Sequence, residues 1–412
     1  MPDRPSLPIA LLNSPGVFER SEKLFRHALA GDLQSLRLDM DRIGALVARV
    51  RHQIAESYPD FQIPPYGCWR FFEVGNVDRW GMIAGARGFS SANEMLLSAG
   101  DLAVLCAIAN VALDPAWTFY EEVTGRSFRG QEGKALAVLS MFAAGVFSAH
   151  PDDPLRADAH ALIRVEPKEV IDGFQLDPDV DAPHAEMLAA LFNRLGEATG
   201  MRPDLFTSGD ETRPGNLLVQ LALKADEKTV IGSDLLDVVL DGCAVVWQGG
   251  AVIDDVILGD TWRHPALLAE LVGNGEVPFH LPAIEIASSF VEPLAWAGVT
   301  IDVLDTLPAL ANLEHIAMFV DAGVLVLSPA AEIEPLEAMI EVRGGTLALL
   351  NELARELRTD LDVSADQLPL SCIQEGGTLR LGREILMENA ALAEKLSKIL
   401  GSGGVFWLPF KA

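Results

Sequence analysis

The sequence predicts a mainly α, α+β protein, and three observations carry that expectation. Apolar residues recur at three- and four-residue spacing through several long segments, as in Leu38, Ile43, Leu46, Val47, Val50 and Ile54. Stretches with strand character are few and short. Strands and helices do not alternate strictly, which disfavours a doubly wound parallel sheet. No fixed-period repeat and no low-complexity linker divides the chain, so residues 1–412 read as one helical domain with a small β-hairpin region near 242–258.

Helices are expected over residues 18–29 and 39–54. Asp101 is placed as the cap of a buried helix over 102–113, which stops before Asp114-Pro115. Residues 132–147 read as a second core helix ending before the loop 150–154, and 183–195 as a third, closed by Gly196. The pattern then changes: 244–247, Gln248-Gly249-Gly250 and 251–253 look like a strand, a Gly turn and a returning strand. Further short strands are expected within 316–327, 378–381 and 405–408. Helices over 334–357, with a possible kink at Gly344-Gly345, and 383–400 complete the set. The least periodic stretch, 201–213, is expected to be a loop.

Composition narrows the function classes. Half of the 412 residues are hydrophobic and the mean hydropathy is +0.24, enough for a large core. The formal charge of −28, from 31 Lys and Arg against 59 Asp and Glu, repels phosphate backbones and anionic membranes. Neither nucleic acid nor membrane is an expected partner. Four well-separated cysteines with no Cys-x-x-Cys pair fit reduced thiols in the cytoplasm. The N-terminus lacks the basic-then-apolar order of a signal peptide. The apolar stretch 135–149 is shorter than the roughly 20 residues a bilayer span needs.

The densest chemistry lies between residues 259 and 299, where Asp260, Arg263, His264, His280 and Glu292 stand among Trp262, Phe279, Pro293 and Trp296. Ionisable groups among large apolar neighbours are satisfied core features or the lining of a pocket. Their density favours the pocket. Asp260 is an acid, base or ligand, or else a turn cap; Arg263 and His264 suit a phosphate or carbonyl. His280 follows Pro278-Phe279, where a lone His is more often a satisfied core residue. Glu292, flanked by Val291 and Pro293, is costly without a partner. Upstream, Arg70, Glu73, Asp78, Arg79 and Trp80 interleave charge with aromatics, as a recognition strip or as a local ion-pair network. Asp321 interrupts the apolar run 318–325 and, if that run is a strand, sits at its end as a presented carboxylate rather than a turn former. Glu375-Gly376-Gly377-Thr378 lacks the Lys and spacing of a phosphate loop and reads better as a tight turn. No dinucleotide, metalloprotease or serine-hydrolase signature is present, and no Asp/His spacing demands a metal. Neither metal nor cofactor is expected, and carboxylates are left to carry acid–base or nucleophilic chemistry.

Eight blocks occur in a particular order: 69–80, Leu155-Arg156-Ala157-Asp158-Ala159, Arg213-Pro214-Gly215, 259–265, 277–280, 292–298, 321–325 and 368–383. Together, over residues 11–406, they resemble the Urc4/Urg3 uracil-catabolism family, long carried as a domain of unknown function. Three stretches depart from that family's pattern. Leu281-Pro282-Ala283-Ile284-Glu285-Ile286 replaces a polar stretch that begins with Lys and contains Trp and Tyr. Glu314-His315-Ile316-Ala317 replaces Arg-Asn-Gly-Gly, and Leu379 replaces an aromatic residue. The resemblance implies a divergent member of a pathway that converts uracil to its ribonucleotide, opens the ring and releases urea. It makes cleavage of the N-glycosidic bond of a ribosylurea phosphate a candidate activity, on a small nucleotide-derived substrate. On that reading Asp321 stabilises the oxocarbenium-like state, Glu292 or Asp260 is the second carboxylate, and Arg263 with His264 or Arg343 binds phosphate. A short likeness of Met318-Phe319-Val320-Asp321 to the Met-Phe-Ala-Asp segment of queuosine-nucleotide glycosidases points to the same Asp. A non-catalytic binding or scaffold protein for a pathway intermediate or partner enzyme is the alternative.

Overall fold

The computed structural model describes residues 6–114, 116–225, 227–268, 275–333 and 335–400. The fold is mainly α, as expected: among the described residues, eighteen α-helical segments surround six two-stranded ladders. Five ladders are antiparallel; Thr300–Asp302 pairs in parallel with Thr229–Ile231. One contiguous apolar core holds nearly all the buried side chains. At its centre the apolar Ala92–Ile108 and Leu281–Trp296 helices pack together, flanked by Gly130–Ala143, Asn216–Lys224 and Gly232–Cys243. No helix among the described residues is long and apolar enough to cross a membrane.

The long amphipathic segments fold as their spacing demands, into the Ser14–Ala30, Ile43–Ser57, Gly130–Ala143, Ala182–Met201 and Pro335–Leu361 helices. Several expectations need correction. Gly196 does not close a helix; it lies inside Ala182–Met201, where an added Cβ would come within 2.8 Å of Ala159 O. The Pro335–Leu361 helix runs through Gly344-Gly345, and Gly344 gives room to Leu24 of the facing helix. The hairpin near 242–258 forms one step later than expected, between Val252–Ile253 and Val256–Ile257. Its turn residues Asp254 and Asp255 both have positive φ (51° and 63°), as a type I′ turn requires. Residues 244–246 instead continue the preceding helix as a 3-10 turn. The stretch 201–213 contains a short helical turn and a two-residue ladder.

The run 316–327 is helical through Asp321 and extended only at Leu325–Leu327. Residues 378–381 are helical rather than extended. The last helical stretch divides at Asn389, whose side chain caps Ala390–Leu400 through Leu392 N at 3.0 Å. The strand expected at 405–408 lies outside the described residues.

Asp101 shows how buried charge organises this core. It lies inside the Ala92–Ile108 helix rather than at its start, and is wholly buried. Its carboxylate accepts from Ala157 N (2.9 Å), Gly215 N (2.7 Å), and Arg213 Nε (2.9 Å) and Nη2 (2.6 Å). One side chain thus joins three distant stretches. Arg156 makes a second lock, gripping Asp158 through Nε and Nη2. Removing one partner leaves an uncompensated buried charge. Asp101→Ala is therefore expected to cost about 3–5 kcal/mol, measured by urea denaturation with circular dichroism. A loss below about 1 kcal/mol would show that Arg213 and the two amides find other acceptors.

Candidate functional site

The site is built on the Leu281–Trp296 helix. Pro293 lies inside that helix and has no N–H to give the carbonyl four residues earlier, that of Ser289. The indole Nε1 of Trp69 donates to that carbonyl instead, at 2.7 Å. Ser289 Oγ accepts from Cys68 N at 3.0 Å and donates to Glu285 O at 2.8 Å. Gly67 permits the approach: an added Cβ would lie 3.3 Å from Ser289 Cα and 3.4 Å from Ser288 O. Trp69 also packs edge-on against Trp296 (ring centroids 4.9 Å apart) and beside Trp80 (5.2 Å). These contacts fix the Cys68–Glu73 3-10 turn on the helix and bring Arg70 to Glu292.

Arg70 donates from Nη2 to Glu292 Oε1 and from Nη1 to Glu73 Oε2, each at 2.7 Å. Glu292 Oε2 and Arg70 Nε are buried and make no hydrogen bond among the described residues. Burial pushes the Glu292 carboxyl up to about 7; Arg70 opposes the shift, while Glu73 and Glu375 add to it. Burial likewise raises Glu73, with Arg70 opposing and Asp78 and Glu375 adding. Glu375 comes from a π-helical turn, Gln374–Thr378, not from the tight turn expected. Single π turns of this kind often occur at functional sites. Its carboxylate accepts from Arg380 Nη2 (2.8 Å) and Tyr58 Oη (3.2 Å). His315 holds the end of the turn, with Nε2 2.8 Å from Thr378 Oγ1. Burial pushes the His315 imidazole down to about 4, so it stays neutral in that role.

A second carboxylate, absent from the sequence-based candidates, stands seven residues before Glu292. Seven helical residues make almost two turns, which puts Glu285 on the same face about 10.5 Å along the axis. Asn110 Nδ2 lies 3.0 Å from both Glu285 oxygens, and Tyr66 Oη is 3.4 Å from Oε1. Lys134 Nζ orients Asn110, donating to its Oδ1 at 2.6 Å and to Val111 O at 2.9 Å. Burial raises Glu285 to about 7 against Asn110 and Lys134, and lowers Lys134 to about 8 against Glu285 and Glu314. Glu285, Asn110, Arg70 and Glu292 all keep some accessible surface, and we read this partly open strip as a cleft. Tyr66 feels Glu285, Arg383, Glu314 and Glu375 together, so the two carboxylate centres adjoin. The Glu-x6-Glu spacing was the available sequence signal for Glu285.

The structure thus gathers Arg70, Glu73, Glu292 and Glu375, with Asp78 and Trp80 at their border and the remaining sequence candidates in other contacts. Asp78 caps the Arg79–Arg87 helix through Gly81 N (2.8 Å). Arg79 is buried, paired with Glu121 and donating to the carbonyls of Phe72, Val74 and Val77. Trp80 packs within the Trp69–Trp296 aromatic cluster. Asp260 is buried, accepting from Trp262 Nε1 (2.7 Å) and Leu281 N (3.1 Å), with Arg343 at 3.5 Å. His264 Nε2 lies 3.2 Å from Glu341, which also accepts from Gln34 N and Ser35 N. His280 Nε2 donates to Leu11 O at 2.7 Å, and burial lowers its pKa. Arg263 is half-exposed, beside Glu276. Asp321 ends the Leu313–Asp321 helix in a surface ion pair with Arg49 (2.9 Å). Asp260, Glu292 and Asp321 share no hydrogen-bond or ion-pair partner among these contacts. Asp260 satisfies a core and Asp321 a helix end.

Two outcomes follow. Trp69→Phe should orphan Ser289 O and cost about 1–3 kcal/mol. In a Pro293→Ala background the restored helical N–H should shrink that cost, a coupling that a double-mutant denaturation cycle reads directly. The pH dependence has a definite sign. Glu285 and Glu292 titrate near 7 in the fold against an ordinary 4.5. Their contribution to stability is complete below about 4.5 and is lost as pH rises through about 7. The thermal midpoint should carry a falling component across that window, and Glu285→Gln with Glu292→Gln should flatten it. An unchanged profile would contradict the raised values.

A family model described as a protein of unknown function (DUF1688) matches residues 10–406. Uracil catabolism protein 4 of Lachancea kluyveri is 26% identical over 407 residues, covering 90% of this chain and 92% of its own length. Protein urg3 of Schizosaccharomyces pombe is 26% identical over 399 residues, covering 91% and 92%. The match spans both carboxylate centres and the core that holds them, and the chain belongs to the DUF1688 family.

Proposed function

We propose that this protein acts in uracil catabolism as a hydrolase that cleaves the N-ribosidic bond of a ribosylurea phosphate or related nucleotide derivative. The pathway comes from the name of the Lachancea relative. The bond type follows from the family resemblance, which leaves an N-ribosidic bond to be cut, and one observation supports acid–base chemistry in the cleft. Glu292 titrates at about 7, with one oxygen on Arg70 and the other without a hydrogen bond among the described residues. A carboxyl that titrates near the operating pH serves well as both acid and base.

Protonated Glu292 gives its proton to the departing ureido nitrogen as the carbon–nitrogen bond breaks and its electron pair goes to nitrogen. The resulting carboxylate takes a proton from water as the water oxygen closes on the ribose carbon. The products are ribose phosphate and urea. Arg70 favours the ionised form of Glu292, and Glu73 and Glu375 limit how far it does so.

A binding or scaffold role has one observation in its favour. Only one of the three carboxylates expected to act together, Glu292, lies in the cleft. Mass spectrometry of products from ribosylurea phosphate separates the readings. The wild type should release urea and ribose phosphate, and Glu292→Gln should lower kcat by about 10²–10⁴ while its circular dichroism spectrum stays that of the folded wild type. Full activity in that variant removes Glu292 from the mechanism. Binding without any product supports the scaffold, and a product that keeps the N-ribosidic bond supports an enzyme acting on the urea portion.

A further inference from the structure

The deep end of the cleft has donors and acceptors of its own. Asn110 Nδ2 is equidistant, at 3.0 Å, from the two Glu285 oxygens, the geometry of one N–H shared between both. Lys134 fixes the orientation of the amide by holding Asn110 Oδ1 at 2.6 Å. The second N–H of Asn110 makes no other hydrogen bond among the described residues. A carboxylate offers about four lone-pair sites. On Glu285, Asn110 uses one per oxygen, and Tyr66 makes a long 3.4 Å contact to Oε1 alone. Oε2 therefore keeps an open acceptor position beside an unused amide donor.

With Glu285 ionised, above about pH 7, the charges around this end balance. Lys134 and Arg383 face Glu285 and Glu314, while Glu375 is matched by Arg380. A cationic or anionic group would upset that balance in a poorly solvated place; a neutral one would not. An acceptor beside a donor is complementary to the edge of an amide, where an N–H stands beside a carbonyl.

We propose that Glu285 and Asn110 form a subsite for a neutral planar group of the ureido or carboxamide class, its N–H donating to Glu285 Oε2 and its carbonyl accepting from Asn110 Nδ2. This deepens the N-ribosidase reading, and rests on it in placing the ureido end of the substrate here, with the sugar toward Glu292. Glu285 and Asn110 bind; the proton transfer belongs to Glu292.

Binding of a group without a glycosidic bond tests the subsite apart from catalysis. N-(2-hydroxyethyl)urea is titrated against the full chain by ligand-observed NMR. Saturable binding is expected, weakened at least tenfold in Glu285→Gln and Asn110→Ala, with guanidinium binding more weakly than the urea. No saturable binding to the wild type, unchanged affinity in both variants, or tighter guanidinium binding overturns the proposal. Should either variant fail to fold, wild-type crystals soaked with the same urea decide the matter. Density against Glu285 and Asn110 supports the subsite, and its absence there refutes it. If the subsite binds while ribosylurea phosphate stays uncleaved, the N-ribosidase reading fails and the subsite stands.

Discussion

Pro293 withholds one backbone N–H from Ser289, and the arrangement of the cleft follows from that missing donor. A buried carbonyl without a partner is costly, so the helix needs a donor from outside itself at that point. Trp69 supplies it, and in doing so docks a whole 3-10 turn on the helix. Ser289 then uses its hydroxyl twice, toward Cys68 N and toward Glu285 O. Arg70 follows Trp69 by one residue, so its position over Glu292 is a consequence of the indole hydrogen bond. A local defect in helical hydrogen bonding becomes the anchor of the charged site.

The same helix pays for its burial in protonation. It is apolar around most of its circumference, and a carboxylate placed there must be compensated or neutralised. Asp101, in the neighbouring helix, meets the demand with four hydrogen bonds, two of them from a guanidinium. Glu285 and Glu292 meet it only in part. Moving a carboxyl from 4.5 to about 7 corresponds to roughly 3 kcal/mol of disfavoured ionisation. That difference brings Glu285 and Glu292 within reach of a change of state near neutral pH. Asp260 has an indole, a backbone amide and a nearby Arg343 as its partners.

The sequence made the helices legible because their apolar spacing is a direct imprint of burial. It made the cleft only half legible. Arg70, Glu73 and Glu375 stood out because charge beside Trp, Phe or glycine is conspicuous, and Glu292 because it lies between Val291 and Pro293. Glu285 did not, since Ile284 and Ile286 on either side gave it the look of an interruption in a core run. Asp321 stood out for the wrong reason: Met318-Phe319-Val320 has the β-branched and aromatic content of a strand, yet packing made it a helix. Asp101 had the residue type of a cap, and nothing local reveals that its partners lie 56 to 114 residues away. The π turn at 374–378 is similarly invisible, because it depends on Ile54, Ile63 and Val50 closing on Gly376 and Gly377.

The blocks that tie this chain to its family now divide by physical role. Arg156 with Asp158, Arg213 with Asp101, Asp260 with Trp262 and His264 with Glu341 are interior locks whose groups satisfy one another. Arg70 and Glu292 each keep a buried polar atom without a hydrogen bond among the described residues, and Glu73 and Glu375 stand beside them. The stretch 281–286, where the sequence departs most from the family pattern, belongs to neither set as a whole. Leu281 and Ile284 are core, whereas Glu285 lines the deep end of the cleft. A change there leaves every interior lock intact and alters what the cleft presents to a ligand. On the proposed reading, the scaffold and Glu292 are therefore separable from Glu285. A substitution at Glu285 would then shift specificity without dismantling the fold.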